Sequence, residues 1–209
     1  MIDTEWVSDN IPMILGLLAD HLQLVALSML LGTLIASVMI LLTLWLPALS
    51  RPLTYISGIL FTIPSLALFI LLMPITGLSK TTSVIGLSVY SLLIILQNTL
   101  AGLASTSPVV LQEARAIGYT RLQGFLAVEL PLAIPYLFGG LRTTAVTLVG
   151  LVTVTAIIGQ GGLGQLFVTG LTLSFSTPVI ISLVLTVLLA ISVDFAFYSA
   201  EKRLFPWVR

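Results

Sequence analysis

Between Arg142 and Asp194 the chain carries no charged side chain. Charge is equally absent from Leu22 to Leu46, from Pro52 to Ser79 and from Thr81 to Gln112. A Lys, Arg or Asp at the centre of a bilayer costs about 2.5–3.5 kcal/mol on insertion scales. A chain that folds in water faces no such filter, so runs of this length identify lipid as the solvent. At roughly 20 residues per crossing, the first three runs predict spans at Leu22–Leu46, Leu53–Met73 and Val84–Ala104. The last run is too long for one span. It is interrupted by Gly159-Gln160-Gly161-Gly162-Leu163-Gly164 and by Ser176-Thr177-Pro178. It therefore predicts spans at Leu132–Ile158 and Pro178–Tyr198, with a short helix at 163–173 that does not cross. The expected fold is an all-α integral membrane protein with about five transmembrane helices. Residues 1–20 read as an external or interfacial segment, with Ile11–Leu18 a short interfacial helix, and residues 21–209 as a single transmembrane domain.

Composition narrows the function classes. Only 8% of the 209 residues are charged, and Lys+Arg (8) merely balance Asp+Glu (8). That leaves no basic surface for nucleic acid. There is no cysteine, hence no disulfide framework, thiolate metal site or cysteine nucleophile. The Lys/Arg bias sets the expected orientation. Arg51, Arg115, Arg121, Lys202, Arg203 and Arg209 fall on one side of a five-span chain. Lys80 falls on the other, with Asp3, Glu5, Asp9 and Asp20. The first side is expected in the cytoplasm, which puts the N-terminus outside and the C-terminus inside. The acidic start does not read as a cleaved signal peptide. Trp6, Trp45 and Trp207 fit interface anchors, and His21, the only histidine, reads as an interfacial residue at the outer end of the first span.

The most informative segment is polar and runs from Ser107 to Pro131. Ser107-Pro108 is a helix start, with Ser as N-cap and Pro at the first helical position. At about 100° per residue, Val110, Leu111, Ala114, Ile117, Gly118, Leu122 and Phe125 share one face. Gln112, Glu113, Ala116, Tyr119, Thr120 and Gln123 lie on the other. The expectation is one amphipathic helix over 107–125. Such a helix either lies in the lipid interface or fills a groove on a partner protein.

The spacing within this loop resembles the "EAA" loop of membrane subunits of binding-protein-dependent ATP-binding-cassette importers. Anchored on Gly118, Gln112-Glu113-Ala114 take the first three places, Val128 the aliphatic place, and Leu130-Pro131 close the pattern. Gln112 stands where the family usually has Glu, so the acid has moved by one residue to Glu113. Further segments are similar to the quaternary-amine branch of these permeases (glycine betaine, choline, carnitine). They are Thr62-Ile63-Pro64-Ser65-Leu66-Ala67, Tyr90-Ser91-Leu92-Leu93 followed by Asn98-Thr99, Gly140-Leu141-Arg142-Thr143, and Ile158 through Gly164. Gln97 stands where that branch often has Arg.

The resemblance implies a multi-pass permease subunit in the cell membrane and a second permease subunit, identical or sister, beside it. It also implies two cytoplasmic ATPase subunits and an external substrate-binding protein. ATP and Mg would sit on the partner ATPase, so no cofactor, catalytic residue or metal ligand is expected in this chain. Gln112, Glu113, Ala114, Gly118, Leu130 and Pro131 would couple to the ATPase.

Polar groups inside spans often mark pathways. Thr62 and Ser65 flank Pro64, which frees a carbonyl. The hydroxyls either bond back to their own helix at a proline kink or line a translocation path. Gln97 and Asn98 each carry an amide that needs partners, as helix–helix glue or as path residues. Arg142 either snorkels toward the cytoplasm or pairs with Asp194 or Glu201, and Asp194 reads as a helix-end acid. Gly159, Gly161, Gly162 and Gly164 spell G-x-G-x-x-G, but no strand precedes them and the next acid is Asp194, so a dinucleotide site is excluded. They read as a tight turn with positive φ. By resemblance, the same turn is an external gate or the receptor for the binding protein. Two other classes fit the sequence less well. A stand-alone secondary transporter would usually show internal repeats and more buried charge. An intramembrane protease would need partners for Asp194 or His21 that the sequence does not supply.

Overall fold

A computed structural model describes residues 2–206. Trp207 and Arg209, expected as an anchor and an inside charge, lie outside the described residues. The described residues are helical nearly throughout. The elements are α1 (Thr4–Asp9), α2 (Ile11–Trp45), α3 (Ser50–Thr62), α4 (Ser65–Thr76), α5 (Lys80–Ala104), α6 (Pro108–Ala116), α7 (Arg121–Gly124), α8 (Leu130–Val152), α9 (Gly164–Thr172) and α10 (Ser176–Leu204). Single helices long and apolar enough to cross a bilayer are found at α2, α5, α8 with its extensions, and α10, and α3 with α4 forms a bent fifth candidate.

The first long helix starts earlier than the charge gap implies. Ile11–Leu18 is not a separate interfacial helix; it is the opening of α2, which begins with Pro12 in its first turn and runs without interruption to Trp45. Asp20 does not end the apolar segment because Lys80 Nζ sits 2.6 Å from its Oδ1 and also donates to Gln23 Oε1 at 3.0 Å. The separate short helix is α1, capped by Asp3 Oδ1 on Trp6 N–H at 3.0 Å.

His21, next to the Asp20–Lys80 pair, faces the helix packing and not the surface. It lies about 15 Å along α2 at 1.5 Å per residue, fully buried, and its Nε2–H donates to the Val149 carbonyl at 3.0 Å. That bond ties α2 to α8. Association in lipid lacks a hydrophobic drive and relies on such polar bonds and on close packing. Ser88 adds another tie, donating to the Ser28 carbonyl at 3.0 Å between α5 and α2. Around these bonds Leu24, Val25, Phe69, Leu87, Leu148, Val149 and Val152 form the central packed cluster. By contrast α10 leaves Leu183, Leu188, Ile191 and Phe195 more than half exposed, a face suited to lipid.

The second span is not one straight crossing. α3 and α4 meet at 97°, so the predicted Leu53–Met73 segment turns inside its own length. Pro64 disfavours helical backbone at the residue before it, and Ile63 accordingly sits at ψ 126. The loop helix is also divided. α6 ends at Ala116, α7 begins at Arg121, and Gly118 at φ +94 makes the turn between them. The expected continuous 107–125 helix is thereby corrected.

Candidate functional site

At one end of the bundle α6 and α7 form a small helix–turn–helix. Ser107 Oγ accepts from Val109 N–H at 3.3 Å and starts α6. Its end is a Schellman motif: Tyr119 N–H donates to the Ala114 carbonyl, and Gly118 N–H to the Arg115 carbonyl, both at 3.0 Å. This arrangement requires a left-handed residue at Gly118. A capping box then starts α7. Gln123 N–H donates to Thr120 Oγ1 at 3.3 Å, and Thr120 N–H to Gln123 Oε1 at 2.9 Å.

Ala114 and Phe125 are buried and fasten the motif beneath the ends of the long helices. Gln112, Glu113, Ile117, Gly118, Tyr119 and Leu122 are exposed. Between the motif and the ends of α2 and α5 lies a cavity of about 640 Å³, which Thr43, Leu103, Tyr119 and Arg121 help to line. From α7 the chain passes through a π turn (Phe125–Glu129) directly into α8 at Leu130-Pro131. It continues through a 3-10 turn (Thr153–Ile158) to the glycine-rich turn. Arg121–Ile158 is thus one unbroken rod of 38 residues.

The far end of that rod is tightly seated. Gln160 N–H donates to the Thr155 carbonyl at 3.1 Å and Gly159 N–H to Ala156 at 3.0 Å, with Gly159 at φ +75. Gly161 and Gly162 follow at φ +113 and +50. A Cβ on Gly162 would stand 2.6 Å from His21 Cα, and one on Gly161 2.4 Å from the Ala156 nitrogen. Gly161, Gly162 and Gly164 are buried and Gly159 is exposed. Ser182 closes the junction by donating to the Leu163 carbonyl at 2.8 Å.

The intramembrane polar residues fall into two places rather than one. At the α3–α4 break, Thr62 and Pro64 are exposed and Ser65 is half-buried. Thr62 Oγ1 donates back to the Ile59 carbonyl at 2.7 Å. The carbonyl released at Ile63 accepts from Tyr90 Oη at 2.5 Å. Tyr90 therefore braces the break, a role the sequence reading did not assign. Its signal was available, because a tyrosine deep in an apolar span needs a partner for its hydroxyl.

About two turns further along α5, Gln97 is exposed and Asn98 is half-buried, its Nδ2 donating to the Ile94 carbonyl at 2.7 Å. Asn98 joins a different group. Arg142 on α8 binds Asp194 on α10 bidentately, Nε to Oδ1 at 2.6 Å and Nη2 to Oδ2 at 2.7 Å. Glu201 Oε2 stands 3.7 Å from Arg142 Nη1. Of the two readings open for Arg142, pairing is the one realised. Asp194 is not a helix-end acid; it lies well inside α10, which runs on to Leu204.

Apolar helices, one of them broken at membrane depth, with a helix–turn–helix presented at one end, define a polytopic membrane transport subunit. Irregular backbone at that depth is tolerated only where protein or a water-filled cavity covers it, and broken helices of this kind build transporter sites. Residues 28–206 match the family described as the binding-protein-dependent transport system inner membrane component, and the chain belongs to that family. It is 35% identical over 209 residues to the osmoprotectant import permease protein OsmW of Salmonella typhimurium, with 96% of each chain covered. It is 36% identical to the choline transport system permease protein OpuBB of Bacillus subtilis, over 72% of this chain and 70% of that one. Among solved structures, a chain of the MetNI methionine ABC transporter in an inward-facing conformation superposes with a TM-score of 0.80 at 25% identity. It covers 92% of this chain and 97% of that one. A chain of an amino acid ABC transporter crystallised with histidines gives a TM-score of 0.82 at 19% identity, over 97% and 99%, a likeness of fold. The protein is a multi-pass inner-membrane permease subunit.

Proposed function

We propose that this permease imports osmoprotectant solutes of the quaternary-amine class, such as glycine betaine, choline or carnitine. In this reading two permease subunits pair, two ATPase subunits bind at the α6–α7 end, and a binding protein delivers solute at the glycine-turn end. The chain carries no cofactor of its own, and ATP and Mg act on the ATPase. The orientation that fits puts the N-terminus outside. Arg51, Arg115, Arg121, Lys202 and Arg203 belong to the loop end, whereas Lys80 at the opposite end is matched by Asp20.

The observation that carries the mechanism is the unbroken rod. ATPase closure would displace the exposed surface of α6, formed by Gln112, Glu113 and Ile117. Ala114 and Phe125 would pass the displacement into α7 and, through Leu130-Pro131, into α8. The α3–α4 break supplies the path element: Thr62, Pro64 and Ser65 present a bend rather than a smooth apolar face. Asn98 and Gln97 form a second, separate polar stretch of the path, and Gly159, Gly161, Gly162 and Gly164 form the outer gate.

The test is reconstitution with the partner ATPase and binding protein in liposomes. The expected result is betaine uptake that requires ATP and the binding protein. Gly118→Asp, which adds a charge beside the docking surface, is expected to abolish uptake while the protein still inserts. Uptake by this chain alone under an ion gradient would establish a secondary transporter instead.

A further inference from the structure

The cavity between the α6–α7 motif and the bundle sits where apolar helices give way to charged loops. The charge-free run of α2 closes at Trp45-Leu46, and the next charge is Arg51. Trp45 is 68% exposed, and tryptophan at such a boundary lies at headgroup level. The cavity, about 640 Å³, has Arg115, Tyr119, Thr120 and Arg121 in its wall, with Glu129 as its one carboxylate. Ser50 and Leu100 line it and also a neighbouring cleft of about 490 Å³, whose wall includes Arg51. Three guanidiniums thus meet one carboxylate. Glu113 on the exposed surface of α6 lines neither space, and counting it as well still leaves three cations against two anions. Among the described residues, none of these three arginine side chains has an ion pair or a hydrogen bond. A guanidinium presents five N–H donors in a planar fork that matches phosphate oxygens.

Apolar surface adjoins this cationic chamber. Leu44 and Arg121 line both the cavity and a shallow notch whose other walls are Trp45 and Leu122. Trp45 and Leu122 are exposed, and Arg121 stands at the seam. A phospholipid has the same order of parts, a phosphate head and then an acyl chain. Basic pockets between spans at a membrane surface recognise such heads.

We propose that the cavity seats one anionic glycerophospholipid from the leaflet at that end. Arg115 and Arg121 hold the phosphate, Arg51 adds positive charge from the neighbouring cleft, and an acyl chain lies along Leu44, Trp45 and Leu122. The excess of cations selects an anionic head over a zwitterionic one. Gln112, Glu113 and Ile117, the surface assigned to the ATPase, lie outside the cavity wall, so lipid and ATPase do not compete. The site depends on neither the solute nor the ATPase.

Native mass spectrometry tests this on the permease purified in mild detergent with the chains it retains. Phosphatidylglycerol or phosphatidylethanolamine of the same acyl chains is added, and bound lipids are counted. The expected result is one phosphatidylglycerol per copy of this chain, held at least about tenfold more tightly than phosphatidylethanolamine. Arg115→Gln with Arg121→Gln should weaken its binding by roughly 30-fold. Lys202→Gln with Arg203→Gln, at the same end but outside the cavity wall, should leave it unchanged. A phosphatidylglycerol carrying a photoactivatable diazirine on an acyl chain should label the unsubstituted permease at residues 44–45 or 121–122, a readout that needs no variant to fold. Equal binding of the two lipids, undiminished binding in the Arg115–Arg121 variant, an equal loss in the Lys202–Arg203 variant, or labelling confined to other segments would each overturn the proposal.

Discussion

Gly118 offers the sharpest test of how the α6–α7 motif works. Its φ is +94, and no atom lies within 4 Å of where a Cβ would stand. Substitution there creates no clash, so any effect is conformational. Forcing an ordinary L-residue into left-handed backbone costs about 1–2 kcal/mol, and about 1–3 kcal/mol where strain is larger. At RT of about 0.59 kcal/mol, a 2 kcal/mol penalty shifts the local equilibrium away from the seated turn by roughly 30-fold. The cost falls on the Tyr119–Ala114 and Gly118–Arg115 bonds and not on the α2–α5–α8 packing, so insertion and expression should be preserved. Uptake and solute-stimulated ATP hydrolysis in proteoliposomes should fall in the order Gly, Asn, Ala, Val. Asn loses little because it tolerates this conformation. Asp should fall well below Asn, since the two differ in charge and hardly in backbone preference. Full coupling in Gly118→Val, or equal loss in Asn and Val, would refute the argument that the turn geometry matters.

Other expectations follow from single bonds. Tyr90→Phe strips the Ile63 carbonyl of its donor and should cost about 1–2 kcal/mol, read as a lower melting temperature in detergent. Arg142→Leu strands Asp194 and Glu201 and should lower stability; thermal inactivation measures it, and Arg142→Leu with Asp194→Leu should recover part of the loss. Gly162→Ala pushes a Cβ against the His21 backbone and should abolish accumulation in the membrane, whereas Gly16→Ala, with open space around it, should be silent on the same immunoblot.

The charge gaps located α2, α5, α8 and α10 because the cost of a charge in hydrocarbon is large and local. They misplaced the start of α2 because they treated Asp20 as a boundary, whereas Lys80, sixty residues away, satisfies it. Pro64 was visible, but that Tyr90 reaches the freed Ile63 carbonyl is a tertiary fact. The burial of His21 is of the same kind, since its partner lies on α8. The break at Gly118 was legible and was passed over. A glycine two residues before Thr120-x-x-Gln123 is a helix stop followed by a helix start, and a helical-wheel reading counts it as a neutral member of a face. Spacing in the loop pointed to the family, and family membership rests on residues 28–206.

The rod from Arg121 to Ile158 has a mechanical consequence. Its interior departs from α geometry at the five-residue π turn Phe125–Glu129, and its far end tightens into the six-residue 3-10 turn. Hydrogen-bonded helix is stiff along its axis, so compliance concentrates at that π turn. A push delivered at α7 therefore crosses that soft point before it enters α8 and reaches the glycine-rich turn. In the proposed importer, the timing of the outer gate would then be set by the motor beneath it together with the give of this one turn.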